Sequence, residues 1–253
     1  MNWEGLWTLF RKELKRFGKV ALQTVLAPIV TALLYLLVFS HVLEEHVRVY
    51  ENVSYTAFLI PGLMMMSMIQ NAFANSSSSL IQSKVTGNIV FVLLTPLSYL
   101  ELYLAFVLAS VVRGMVVGLG IFLVASLFVS LPLHSVVWLI MFAFVSSTVL
   151  GTMGIIAGIW AEKFDHMAGF QNFIIMPLSF LSGVFYSIHS LPEFWQALSR
   201  FNPFFYMIDG FRYGFFGVSD VNPGVSLFAV LLFWAGLAAF TLFLLRSGYK
   251  LRD

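Results

Sequence analysis

The sequence has no cysteine and very little charge: of its 253 residues only 10 % are Asp, Glu, Lys or Arg, against about 25 % in an ordinary soluble domain. Without cysteine there are no disulfides, thiolate metal ligands or thiol nucleophiles. The net charge of +2 is too small to attract nucleic acid, and no such partner is expected. With 60 % hydrophobic residues, the chain reads as an all-α integral membrane protein.

Several motifs are missing as well. No G-x-x-x-x-G-K-[ST] occurs, so the chain lacks the loop that cradles nucleotide phosphates, and any ATP must be used by another chain. "HVLEEH" at 41–46 is neither H-E-x-x-H nor H-x-x-E-H and reads as an external acidic loop rather than a zinc site. "FLSG" at 180–183 has Phe180 where the serine motif of intramembrane proteases needs glycine. Hence no catalytic, cofactor or metal residue is assigned. A membrane-embedded enzyme acting on lipids is the alternative reading.

What the sequence does have is long uncharged runs, at 20–43, 52–83, 85–100, 114–161, 166–192 and 221–245. A helix crosses the hydrocarbon core in roughly 20 residues, and "LPLH" at 131–134 divides the longest run. Six spans are expected, at about 20–43, 55–79, 100–130, 135–160, 169–187 and 225–245. Residues 20–40 lack a small-x-small cleavage site and read as an uncleaved span. Arg11, Lys12, Lys15, Arg16, Lys19, Lys84, Lys163, Arg246, Lys250 and Arg252 fall on one side of these spans, and Arg48, Arg200 and Arg212 on the other. Basic residues are retained in the cytoplasm, which predicts that both termini lie there. Arg113 is left inside the membrane, and Glu101, about 18 Å away along a helix, is too far to pair with it.

Residues 1–19 place Trp3, Leu6, Trp7, Phe10, Leu14 and Phe17 at helical spacing, which predicts an amphipathic interfacial helix serving as a membrane anchor or a partner contact. In span two, Pro61–Gly62 predicts a kink. Further along, Asn71, Asn75, Ser78, Ser79 and Gln82 share a stripe that must face protein or water. That stripe either ties helices together or lines a translocation route. Gly114 and Gly118, then Gly151, Gly154 and Gly158, are spaced for close helix contact.

Residues 183–217 contain twelve aromatics among 35, interrupted by Glu193, Arg200, Asp209 and Arg212. Ser190 to Glu193 fits a capping box with Pro192 in the first turn. Phe194, Trp195, Leu198 and Phe201 then share a face. Asn202–Pro203 ends this helix and starts a second, in which Asp209 and Arg212 can pair at i, i+3. The expectation is an external re-entrant helical hairpin over 188–217, its charges turned to water.

At this point "FLSGVFYSIHSLPEFWQALSRFNPFFYMIDGFRYGFFG" at 180–217, "LIPGLMMMSMIQNAFANSSSS" at 59–79 and "LLTPLS" at 93–98 resemble the ABC-2 type transporter permeases, most of all the small bacterial ones of the YadH type. The resemblance implies that 1–253 is one ABC-2 transmembrane domain with the type V exporter fold, in a bacterial inner membrane. It also implies a homodimer bound to two copies of a separate ABC ATPase that uses ATP and Mg, exporting an amphiphilic, lipid-linked or drug-like substrate. The segment 83–98, with Lys84, Gly87, Asn88, Phe91, Thr95 and Pro96, would couple to that ATPase. Here Ile89, Val90, Phe91 and Val92 stand where the family usually has acidic residues, so docking would rest on apolar burial. Asn71, Asn75, Ser78 and Ser79 would line the pathway. Pro192, Trp195, Asn202, Pro203, Asp209 and Arg212 would belong to the external hairpin.

Overall fold

The computed structural model describes residues 2–43, 50 and 53–250. The side chains of 40–46, with Arg48 and Arg252, lie outside that description, and the reading of "HVLEEH" lies outside it with them. Among the described residues the regular structure is helical, apart from an isolated bridge between Tyr50 and Val53. Its helices are α1 (Trp3–Leu43), α2 (Tyr55–Val85), α3 (Ile89–Leu93), α4 (Tyr99–Ala125), α5 (Val136–Trp160), α6 (Phe164–Phe170), α7 (Met176–Phe180), α8 (Glu193–Arg200), α9 (Pro203–Phe216) and α10 (Pro223–Ser247). Among the described residues, α1, α2, α4, α5 and α10 are long and apolar enough to cross a membrane.

The expected span at 169–187 takes a different form. Helix begins earlier, at Phe164, and passes from α6 through a π-helical turn at Gln171–Ile175 into α7, ending at Phe180. Pro177 stands in the first turn of α7. Its missing N–H and its ring disrupt the regular ladder, a disruption that a π turn accommodates.

The break expected after residue 19 is also absent. The N-terminal segment and the first span form one 41-residue helix that continues through Pro28. Its inward stripe is Leu6, Leu9, Glu13 and Phe17, then Ile29, Ala32 and Leu36. Trp3 and Trp7, expected on the same apolar face as Leu6 and Phe17, stand 68 % and 51 % exposed, outside that packed stripe.

Helix α2 is the centre of the bundle, packed by α5, α4, α1 and α9. Its Phe58, Leu59, Met65, Ile69 and Ala72 are fully buried, and the helix runs unbroken through Pro61. The small residues work as their spacing predicts: Gly118 lies against Met68, Gly151 against Ser110, and Gly154 against Ser76 and the Phe73 carbonyl. Such contacts bring backbones close enough for dense packing without large side chains. The "LPLH" turn joins α4 to α5. The His134 and Ser135 amides donate to the carbonyls of Phe215 (3.1 Å) and Gly214 (2.8 Å), so the turn supplies donors to the otherwise open end of α9.

Candidate functional site

The polar face of α2 is built by three helices. Arg16 of α1 donates from Nη1 to Ser78 Oγ at 3.1 Å and from Nη2 to the Asn75 carbonyl at 2.6 Å and Asn75 Oδ1 at 3.1 Å. Its Nε pairs with Glu13 Oε2 at 3.0 Å, one turn back on the same helix. Asn75 is fully buried and donates to Ser110 Oγ on α4 at 3.3 Å. Four residues earlier, Asn71 Oδ1 accepts from Arg113 Nε and Nη2 at 3.3 and 3.1 Å. The partner of the intramembrane arginine is therefore Asn71. Two clusters thus stand along α2, Arg113 with Asn71 and Arg16 with Asn75 and Ser78, while Ser79 is buried on the same helix.

A cavity of about 240 Å³ lies between α1 and α2. Thr31, Ser67, Gln70 and Asn71 contribute polar groups to a lining that is otherwise mostly apolar. Sequence reasoning assigned Arg16 to the basic tail and missed its place here. The available signal was Glu13, a carboxylate one turn from Arg16 within an otherwise basic stretch.

The loop from α2 to α4 separates residues that hold it from residues that face outward. Lys84 Nζ donates to the carbonyls of Ile159 (2.8 Å) and Ala161 (2.6 Å), closing the C-terminal end of α5 with a cation where the helix dipole favours one. Gly87 turns the chain at φ 73°, a left-handed conformation costly for other residues. Asn88 precedes α3, and Thr95 Oγ1 donates to the Val92 carbonyl at 2.6 Å. Asn2 Nδ2 reaches the Pro96 carbonyl at 3.5 Å. Phe91 and Leu94 stand 70 % and 75 % exposed, flanked by exposed Val85 and Val90. These four make an apolar surface at the end of the bundle.

Ser98 and Glu101 form a full capping box at the start of α4, and the Asn2 amide also donates to Glu101. That gives Glu101 a structural place unrelated to Arg113. S-x-x-E is the sequence signature of this box, so the signal was present. Nearby, Lys250 Nζ donates to Glu162 Oε1 at 2.6 Å. That hydrogen bond, helped by the lysine charge, holds the Glu162 carboxyl below the usual carboxylate range. The pair therefore persists at neutral pH and is lost as pH falls through that lowered value.

The residues of the hairpin are arranged otherwise than expected. Helices α8 and α9 meet at Asn202, whose Oδ1 accepts from the Phe204 amide at 3.0 Å and whose Nδ2 donates to the Leu178 carbonyl at 2.7 Å. Pro203 occupies the first turn of α9, as expected. The capping box at Ser190 does not form, because Pro192 is the residue that precedes α8 and Glu193 therefore stands at the first helical position rather than the third; the Ser190 hydroxyl donates to the Ser187 carbonyl instead. Trp195, Phe194, Leu198 and Phe201 are all exposed on α8.

Asp209 and Arg212 neither pair with each other nor face water. Both are buried, since α9 packs into the bundle against α5, α10 and α2. Asp209 accepts from the amides of Asp220 (2.7 Å) and Val221 (3.0 Å). Arg212 Nη2 donates to the Val184 carbonyl at 2.6 Å, and its guanidinium lies 3.7 Å from the Phe58 ring centroid. Each charge thus meets backbone groups left open by the segments flanking the hairpin.

Asp220, absent from the sequence reading, completes this corner. Its carboxylate accepts from Ser187 Oγ and the Ile188 amide, each at 2.8 Å, and from the Tyr50 hydroxyl at 3.1 Å. Burial pushes the Tyr50 hydroxyl up, the negative charge of Asp220 adding to the effect, so it remains a donor. Asp220→Ala is expected to cost about 1–3 kcal/mol by leaving these donors unmatched. A lower Tm and faster proteolysis within 181–190 would be the signature, with Asp220→Asn milder on both measures.

The bundle thus keeps arginines on polar partners inside an apolar helix packing, presents an apolar loop at one end, and stitches an aromatic hairpin to the other. Residues 4–216 match the model of the ABC-2 type transporter family, and the chain belongs to that family, as a transmembrane transporter subunit. It is 36 % identical over 256 residues to the inner membrane transport permease YadH of Escherichia coli (strain K12), an alignment covering 100 % of this chain and 99 % of that protein. Nodulation protein J of Rhizobium meliloti (strain 1021) is 24 % identical over 230 residues, covering 90 % and 87 % of the two chains. Nodulation protein J of Bradyrhizobium diazoefficiens is 23 % identical over 251 residues, covering 97 % and 95 %.

Proposed function

We propose that this chain is the permease subunit of an ATP-driven exporter in a bacterial inner membrane, a single transmembrane domain with both termini in the cytoplasm. It works as a homodimer with two copies of a separate ABC ATPase that binds the ATP and Mg; the chain itself carries no cofactor. The sixth crossing is made by the segmented helix α6 to α7, which completes the even count that places both termini on one side. Part of α1 lies along the cytoplasmic surface before the helix enters the membrane. The α8–α9 hairpin is external and re-entrant, with the apolar face of α8 in the outer leaflet.

The observation that carries this reading is the exposed apolar surface of Val85, Val90, Phe91 and Leu94 on a loop held by Lys84 and turned at Gly87. Large exposed apolar groups at the polar end of a bundle mark a place where a partner docks. Purifying the tagged chain from its native membrane should bring down a P-loop ATPase in equal amount. Recovery of a stable chain with no ATPase would refute the assignment.

The substrate is amphiphilic, lipid-linked or drug-like, and it passes the Asn71, Asn75, Ser78 and Ser79 face. Replacing Asn71, Asn75 and Ser79 together by leucine should remove substrate stimulation of ATP hydrolysis while the complex still assembles. Unchanged stimulation would leave that face with packing alone.

A further inference from the structure

Arg113 is close to the middle of α4, about 21 Å along the helix from Tyr99 and about 18 Å from Ala125. A guanidinium at that depth is costly unless an opposite charge or water stands beside it. Its hydrogen bonds go to one neutral oxygen, Asn71 Oδ1, and its other contact is the Phe17 ring, 5.9 Å from the guanidinium carbon. Glu13, the carboxylate nearby, is already held by Arg16 at 3.0 Å and approached by Lys12 at 3.5 Å. Among the described residues, this cluster has three cations and one carboxylate.

Asn71 has a second place in the structure, because it also forms part of the wall of the cavity between α1 and α2. Thr31, Ser67 and Gln70 add polar groups to a lining otherwise made mostly by apolar residues such as Ala27, Ala32, Leu63 and Met66. A second cavity, bounded by Met64, Met68, Phe122, Phe211 and Phe215, is apolar by contrast. On the outer side of α1, Leu26, Val30, Leu34 and Leu37 are exposed, the kind of surface lipid covers. A molecule reaching this cavity from the bilayer meets polar groups and, behind Asn71, a guanidinium with no carboxylate bonded to it among the described residues.

We infer that Arg113 and Asn71 form a binding site for an oxyanion, phosphate in its chemistry, carried by an amphiphile whose headgroup enters the α1–α2 cavity. This rests on the reading of the same α2 face as the transport pathway, and it makes the substrate an anionic amphiphile. The fork of guanidinium donors matches two phosphate oxygens, and a charged acceptor strengthens each hydrogen bond over the neutral amide oxygen now present. Asn71, whose Nδ2 donates to the Ser67 carbonyl at 3.0 Å, positions the arginine until the anion arrives.

The test uses the full-length chain in nanodiscs of phosphatidylglycerol or phosphatidylcholine, with lipid retention after stripping and Tm as readouts. The wild type should retain phosphatidylglycerol selectively, and Arg113→Gln should lower that retention about tenfold, the equivalent of one charge-assisted hydrogen bond. Arg113→Lys, which keeps the charge without the fork, should fall between them, while Arg246→Gln at the end of α10 should match the wild type. A Tm rise with inorganic phosphate in phosphatidylcholine discs, lost in Arg113→Gln, would assign the site to free phosphate and overturn the headgroup. Should Arg113→Gln fail to fold, Arg113→Lys and Asn71→Leu carry the test through their own loss of lipid selectivity. Equal retention by the wild type and the folded Arg113 and Asn71 variants, or an equal loss in Arg246→Gln, would overturn the site. None of these readouts needs the ATPase, so failure here stays separate from failure of the transport assignment, which is read by hydrolysis with the partner.

Discussion

Replacing Gly210 by leucine is expected to remove most folded protein from the membrane. A Cβ built at Gly210 lies 2.0 Å from Phe142 Cζ, with two more ring carbons within 2.5 Å. Phe142 is fully buried and stacked on Trp138 at 5.9 Å between ring centroids, so the ring has nowhere to turn. Nor is α9 free to withdraw. Its Gly214 meets Leu139, its last carbonyls accept from His134 and Ser135, and Asp209 and Arg212 tie its buried side. Overpacking a core typically costs about 1–3 kcal/mol for added methylenes that neighbours partly accommodate, and these contacts leave little accommodation. The monodisperse yield in detergent and the Tm should both drop sharply. Phe142→Ala placed in the Gly210→Leu background should restore part of each. A Gly210→Leu chain as stable as the wild type would mean that α9 does not cross α5 at this distance.

The second large effect is expected at the α2–α4 loop. Phe91→Asp combined with Leu94→Asp puts two charges where two exposed apolar side chains stand. Neither side chain is buried within the chain, so the Tm should hardly move. Central apolar anchors of an interface are commonly worth ~2 kcal/mol or more each, so binding of the ATPase should weaken at least about tenfold. Pull-down of the ATPase by the tagged variant, compared with the wild type at equal chain concentration, reads this directly. Full recovery of the ATPase would place the docking surface elsewhere. Lys84→Ala should behave differently. It opens the clasp on the Ile159 and Ala161 carbonyls, so a loss of Tm should accompany any loss of binding.

Much of the architecture was readable because the relevant signals are local. Charge-free runs located five long helices, small-residue spacing located the contacts of Gly118, Gly151 and Gly154, and Asn202–Pro203 marked the boundary between α8 and α9. The polar stripe on α2 was legible as a stripe, but what would meet it was not. Arg16 arrives from a helix 59 residues away in sequence, and periodicity gives a face without naming its partner.

Asp209 and Arg212 show the same limit from the other side. Their i, i+3 spacing permits a surface pair, yet the charges turn inward because α9 is packed on three neighbours and because the loops around Val184 and Asp220 leave backbone groups that need partners. The Ser190 box failed for a related reason. Here α8 starts only after Pro192, which leaves Glu193 at its first position, whereas Ser98 is itself the residue before α4 and has Glu101 at the third position to complete the box. The continuity of α1 was hidden by its composition. A change from amphipathic to uniformly apolar sequence, with Gly18 at the change, suggests two elements, but the helix runs on through Gly18 without a break.

The most direct measurement of the account is ATP hydrolysis in proteoliposomes containing this chain, its co-purified ATPase, or both. The chain alone should show none, and the pair should hydrolyse ATP at a rate above the ATPase alone, with the excess lost when Phe91 and Leu94 are both replaced by aspartate. Hydrolysis by the chain alone, or a pair no faster than the isolated ATPase, would contradict its role as the permease of an ATP-driven transporter.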